Sequence, residues 1–161
     1  MKEAFLMEQA IVKAIVGPVD LNDAANTGLR VDMQKFNRVS FICVLAAGTT
    51  PSAHLFTLKQ HSVASAGTPA DLEVDNPYYH KLDAETVFTK VQPTAAAAAY
   101  NLDSIFADAK GIVVFEVLAE QLADGNRYVS LDIGDVGGAQ LGTVIAIAHN
   151  AKELPAYSKA V

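Results

Sequence analysis

Tryptophan is absent from this chain, and cysteine occurs once, at Cys43. A lone cysteine excludes an internal disulfide framework and any Cys-x-x-Cys metal site. Basic residues are few: 12 Lys and Arg stand against 18 Asp and Glu, a net charge of −6. No basic cluster forms, so direct nucleic-acid binding, which needs a basic stripe, is not expected. No apolar run reaches the roughly 20 residues of a membrane-spanning helix. The opening MKEAFLMEQAIVKAIVGP resembles a signal peptide only superficially, because Glu3 and Glu8 interrupt its apolar stretch. The expectation is a protein made and kept in the cytoplasm, without membrane contact.

What is present is apolar and small. Of 161 residues, 51% are hydrophobic, and much of that share is alanine. The length fits one domain with some appendage, able to bury a core without disulfide or metal. Within residues 3–16, Phe5, Leu6, Ile11, Val12, Ile15 and Val16 are spaced partly as in a helix, and Gly17-Pro18 reads as a sharp stop. A short amphipathic helix and an extended arm are both open for this segment.

From Val19 onward the pattern is extended. Residues 29–33 alternate apolar and polar, and residues 39–47, VSFICVLAA, are β-branched and aromatic. HLFTLKQHSV comes next, with Phe56, Leu58 and Gln60 on one face. SAGTPADLEVDNPYYHKLDAE reads as a surface excursion with one short strand at most. TVFTKV (86–91), GIVVFEVL (111–118), YVSLDI (128–133) and GTVIAIAH (142–149) complete the strands, and Asp124-Gly125 is a hairpin-type signal. Ala95 to Ala99 form either a helical turn or a tight strand. Six to eight short strands without long amphipathic helices predict an all-β fold, an antiparallel β-sandwich of jelly-roll-like kind. The expected division is an arm or short helix over 1–18, a sandwich over 19–150 and a tail over 151–161.

Four glycines fall within nine residues: Gly134, Gly137, Gly138 and Gly142. A phosphate-binding loop needs a following Lys, and a dinucleotide fingerprint needs a following helix. GDVGGAQLGT has no Lys and leads into a strand, so a bend with several positive backbone angles is expected. His54, His61, His80 and His149 show no i, i+4 metal spacing. Cys43 lies inside an apolar run, as a buried structural cysteine does. Asp71, Glu73 and Asp75 share one side only if their stretch is extended, and surface charge is the expectation. Asp132 and Asp135 flank the glycine bend and are the acids around which a hydrolase would be built. Tyr78-Tyr79 reads as a small contact site on a loop or as a cap on one end of the sandwich. No catalytic residue, metal ligand or cofactor is assigned.

Several segments resemble small virion structural proteins of tailed bacteriophages. Phe115-Glu116-Val117 with Leu122 matches their strand before a polar turn. Tyr128-Val129-Ser130-Leu131 matches the strand after that turn, and Gln140-Leu141-Gly142 with Ile145 and Ile147 matches the strand after their glycine-rich bend. Gly28 to Val31, Phe36 to Phe41 and Phe56 to Gln60 are similar to their earlier strands. The likeness spans most of residues 19–150 and departs in the N-terminal segment and at Ala95–Ala99. It implies a head decoration or cement protein that does no chemistry, a β-sandwich on the capsid exterior whose partners are the major capsid protein and further copies of itself. A head–tail connector or tail component is the nearest alternative, and a carbohydrate- or host-binding module is the alternative of another class. Phe5, Leu6, Ile11 and Tyr157 are the expected partner contacts, with packing inside their own chain as the other reading.

Overall fold

The structure is a computed structural model and describes Leu6 and residues 10–22, 24–49 and 53–151. Among the described residues eleven strands are formed: β1 (Ile11–Asp20), β2 (Val31–Asp32), β3 (Phe36–Leu45), β4 (Leu55–His61), β5 (Ala70–Asp71), β6 (Tyr78–Leu82), β7 (Thr89–Val91), β8 (Ala99–Asn101), β9 (Gly111–Leu118), β10 (Tyr128–Ile133) and β11 (Leu141–Ala151). A four-residue helix, α1 (Asp103–Phe106), and a 3-10 turn at Ala119–Gln121 are short connectors.

Two antiparallel sheets pack face to face as a β-sandwich. The larger runs β1-β11-β3-β9-β6-β7, and the smaller runs β2-β10-β4-β5, with β8 also on β4. Period-two patterning explains the packing. In β9, Val113, Phe115 and Val117 face in; in β10, Val129, Leu131 and Ile133 do so; in β4, Phe56, Leu58 and Gln60 do so. Phe115 of the larger sheet meets Phe56 and Tyr100 of the smaller one, with ring centroids 5.5 and 5.1 Å apart. Each such buried ring contributes about 1.5–3 kcal/mol.

Several expectations are corrected. Gly17-Pro18 does not stop an element: both residues lie within β1, so the sandwich begins at Ile11 rather than at residue 19. β1 is an edge strand, and its register on β11 shifts between Val16 and Val19, so Pro18 is not required to donate. At the other end, β11 continues through Ala151. The polar excursion holds two strands, not one: β5 pairs with β4, and β6 pairs with β9. All five residues of β6 are half-buried, so no alternation marks it.

Asp124-Gly125 is a turn, with Gly125 at φ +84°, yet it makes no hairpin because β9 and β10 belong to different sheets. The glycine-rich bend likewise crosses from β10 to β11, and Gly137 carries its positive angle, φ +72°. Gly142 serves space instead: a Cβ there would lie 2.5 Å from Leu21 Cδ1. The alanine run is extended, with Ala97 bridged to Val74 and Ala99 opening β8.

Candidate functional site

Three buried or half-buried polar clusters bring residues together from distant parts of the chain. On the outer face of the smaller sheet, β4 supplies His61 and β10 supplies Ser130 and Asp132. His61 Nε2 lies 2.9 Å from Ser130 Oγ, and Ser130 Oγ is 3.4 Å from Asp132 Oδ1, which also accepts the Gly28 N–H at 3.0 Å. Burial, then Arg30 and Lys59, push the His61 pKa down. Burial pushes Asp132 up, against the opposing pull of the Gly28 amide, Lys59, Ser130 and Arg30.

On the outer face of the larger sheet, Ser40 of β3 donates to Glu116 of β9 at 2.9 Å and meets His149 Nε2 of β11 at 3.1 Å. Burial and the Arg38 charge lower the His149 pKa, while Glu116 raises it less. Both sets contain Ser, His and an acid. In a hydrolytic triad the acid holds the imidazole and the imidazole takes the serine proton. Here each acid accepts from the serine hydroxyl instead of holding the imidazole, so neither acid occupies the orienting place it has in a triad. Ser130 is fully buried and His61 nearly so.

The third cluster is internal. His54 Nε2 donates to Gln140 Oε1, Gln140 Nε2 donates to the Ala46 carbonyl at 2.8 Å, and the His54 amide donates to Asp103. His54 and Gln140 are almost wholly buried, and His54 packs on Phe106. The Nδ1 atoms of His54, His61 and His80 are buried without a hydrogen-bond partner.

The remaining candidates are dispersed. Burial pushes the Cys43 thiol well above its usual range. Asp132 and Asp135 do not act on one another: Asp132 holds the Gly28 amide and Asp135 the Gly137 amide. Asp71, Glu73 and Asp75 are exposed on one side while Leu72 and Val74 point in, and Asp71 pairs with Lys59. Among the described residues no group of three or more His, Cys, Asp or Glu is arranged to hold a metal ion. Tyr78-Tyr79 is in β6, not on a loop, and Tyr78 packs on Tyr100 and Phe115.

Exposed large apolar side chains lie at both edges of the larger sheet, and also away from them at Leu29, Val44, Leu55, Val63 and Leu141. At the β1 edge, Ile11 is 43% and Val12 37% exposed. Leu6, whose carbonyl accepts the Ala10 amide at 2.9 Å, is 56% exposed just before the strand. Of the four expected contact residues, Leu6 and Ile11 are thus on the surface, while Phe5 and Tyr157 lie outside the described residues. At the opposite edge, Val87 and Phe88 precede β7 and are 71% and 47% exposed. This pair is not legible in the sequence because TVFTKV alternates like a strand throughout, whereas pairing begins only at Thr89.

Beside β1 a groove of about 420 Å³ opens between the sheet edges. Its floor includes Ala146, Ala148 and Phe36, and its rim carries Lys13, Arg30 and Lys35. The groove exists because the larger sheet ends in ten-residue β1, whereas the smaller ends in two-residue β2.

The chain matches no protein-family model, no curated protein and no solved structure.

Proposed function

We propose that this chain is a non-enzymatic structural protein of a tailed-bacteriophage virion, a decoration or cement protein that binds the capsid exterior and stabilises the shell. The observation that carries the association reading is the exposure of large apolar side chains at both edges of the larger sheet. Ile11, Val12, Val87 and Phe88 lie at the two sides of one six-stranded sheet. A protein with contact residues at two separated edges bridges neighbours, and a symmetric shell repeats that bridge many times. The resemblance of the strand and turn segments to phage virion proteins supplies the choice of shell. The partners in this reading are the major capsid protein and further copies of the chain.

A head–tail connector or tail component is served by the same edges. A glycan-binding module needs an exposed aromatic strip, and among the described residues Phe88 is the one aromatic side chain among the exposed large hydrophobics. Co-sedimentation separates these readings. Saturable binding to expanded heads, without binding to tails, is the expected result. Binding to tails or portals alone supports the connector, and glycan affinity without shell binding supports the module.

A further inference from the structure

We infer that the open half of the β1 edge, together with the groove beside it, receives an extended peptide segment of alternating acidic and apolar residues, added as a short strand along Ile11–Ala14. Natural edge strands are protected against such additions by prolines, inward charges and covering loops. In β1 these protections are unevenly placed. The Leu29 amide takes the Ile15 carbonyl at 2.9 Å, Pro18 has no N–H, and the register shifts between Ala14 and Val16 and again before Val19. All of them act from Ile15 onward. Ile11 to Ala14 are exposed, and among the described residues no strand pairs with β1 on the side away from β11. Four residues of strand span about 13 Å, enough for a short peptide ladder.

The groove supplies the side-chain recognition that a ladder alone lacks. Ile11 pairs with Ala148 and Lys13 with Ala146, and both alanines are buried yet line the groove. Small residues at these positions leave the space that a larger side chain would fill. At about 420 Å³ the groove takes more than one aliphatic group, since a cavity of about 150 Å³ holds benzene.

The rim sets the sign of the partner. Lys13, Arg30 and Lys35 face one carboxylate, Asp32, in a chain whose net charge is −6. Arg30 is anchored through the Val63 and Ala66 carbonyls, and Lys13 reaches the Arg30 carbonyl at 3.0 Å. Cations at the rim and alanines below select a segment whose apolar residues enter while its acids stay outside. A second copy laid along the whole of β1 is disfavoured, because Leu29 and Pro18 block the ladder from Ile15 onward. The inference rests on the proposed function only in assigning the segment to the shell.

The test uses the full chain, isotope-labelled, and a capped hexapeptide alternating glutamate and valine, with its lysine counterpart as control. The expected result is chemical-shift change at Ile11–Ala14, Val31 and Ala148, slowed amide exchange over residues 11–14, and weakening by salt. The double variant Lys13→Glu with Lys35→Glu alters exposed side chains and is expected to lose affinity about tenfold. No binding, equal binding of the lysine peptide, or changes confined to other strands overturns the inference. On expanded heads, loss of binding by the same double variant supports the shell segment as occupant. Retained binding overturns that assignment and leaves the proposed function standing. Peptide binding by a protein that binds no shell upholds the groove and removes the proposed function. Dimerisation abolished by the double variant replaces the peptide with a second copy.

Discussion

His54 and Gln140, 86 positions apart, are joined by a buried hydrogen bond of 2.5 Å from the imidazole Nε2 to the amide oxygen. The bond ties the start of β4 to the end of the glycine-rich bend, and Gln140 Nε2 continues it to the Ala46 carbonyl. The bend is therefore a structural clasp between the two sheets, not a ligand loop. Gln140→Ala leaves the His54 N–H and the Ala46 carbonyl without their partner. The expected cost is about 2–4 kcal/mol, because each buried unpaired polar group is expensive. Urea unfolding followed by circular dichroism measures it, and an unchanged midpoint would mean the clasp is idle.

Acid weakens the fold. His61 and His149 both have pKa values below the ordinary 6.5. The unfolded chain therefore takes up these protons first as pH falls. Stability is full above 6.5 and is lost as pH drops from there through the folded values. Asp132 acts oppositely, since its folded pKa lies above 3.8 and the folded chain protonates it first. Urea midpoints are expected to fall between about pH 7.5 and 5.5, and His61→Gln with His149→Gln is expected to flatten that slope. An equal slope in the variant would count against the two clusters as its source.

Gly28 and Gly142 are predicted to differ sharply in tolerance. A Cβ at Gly28 would lie 2.2 Å from the Leu131 carbonyl oxygen, a backbone atom of β10. At Gly142 the nearest atom is Leu21 Cδ1 at 2.5 Å, the tip of a side chain able to turn aside. Gly28→Ala is expected to cost about 3 kcal/mol and Gly142→Ala about 1, within the usual range for overpacking. Thermal denaturation of the two variants gives the comparison, and equal losses would contradict it.

Strand type was legible where one face is buried and the other is not. Residues 111–118 and 128–133 alternate, and their inward residues are those the pattern names. β6 was hidden because all five of its residues are half-buried, so period two is averaged away. β1 was hidden by Gly17-Pro18, which only an edge strand with shifted register absorbs. Sheet membership is a non-local property: Asp124-Gly125 and the glycine bend carry turn chemistry, yet each crosses between sheets. The polar clusters were invisible for the same reason. Ser40, Glu116 and His149 meet only because β9, β3 and β11 lie side by side. The groove arises from the unequal lengths of β1 and β2, which no local motif encodes.

Phe88 and Val87 lie outside the core, so Val87→Ser with Phe88→Ser is expected to leave the unfolding midpoint within about 0.5 kcal/mol of the parent. Loss of affinity for shells at unchanged stability is the expected outcome, read by sedimentation beside a melting curve. A large stability loss would place the pair in packing and remove this edge from the contact surface.

The most direct measurement heats expanded heads in a calorimeter while the purified protein is added stepwise. A shell transition that moves upward and saturates at a fixed ratio of protein to capsid subunit is the predicted result. A shell transition that stays in place at saturating protein contradicts a role in stabilising the capsid.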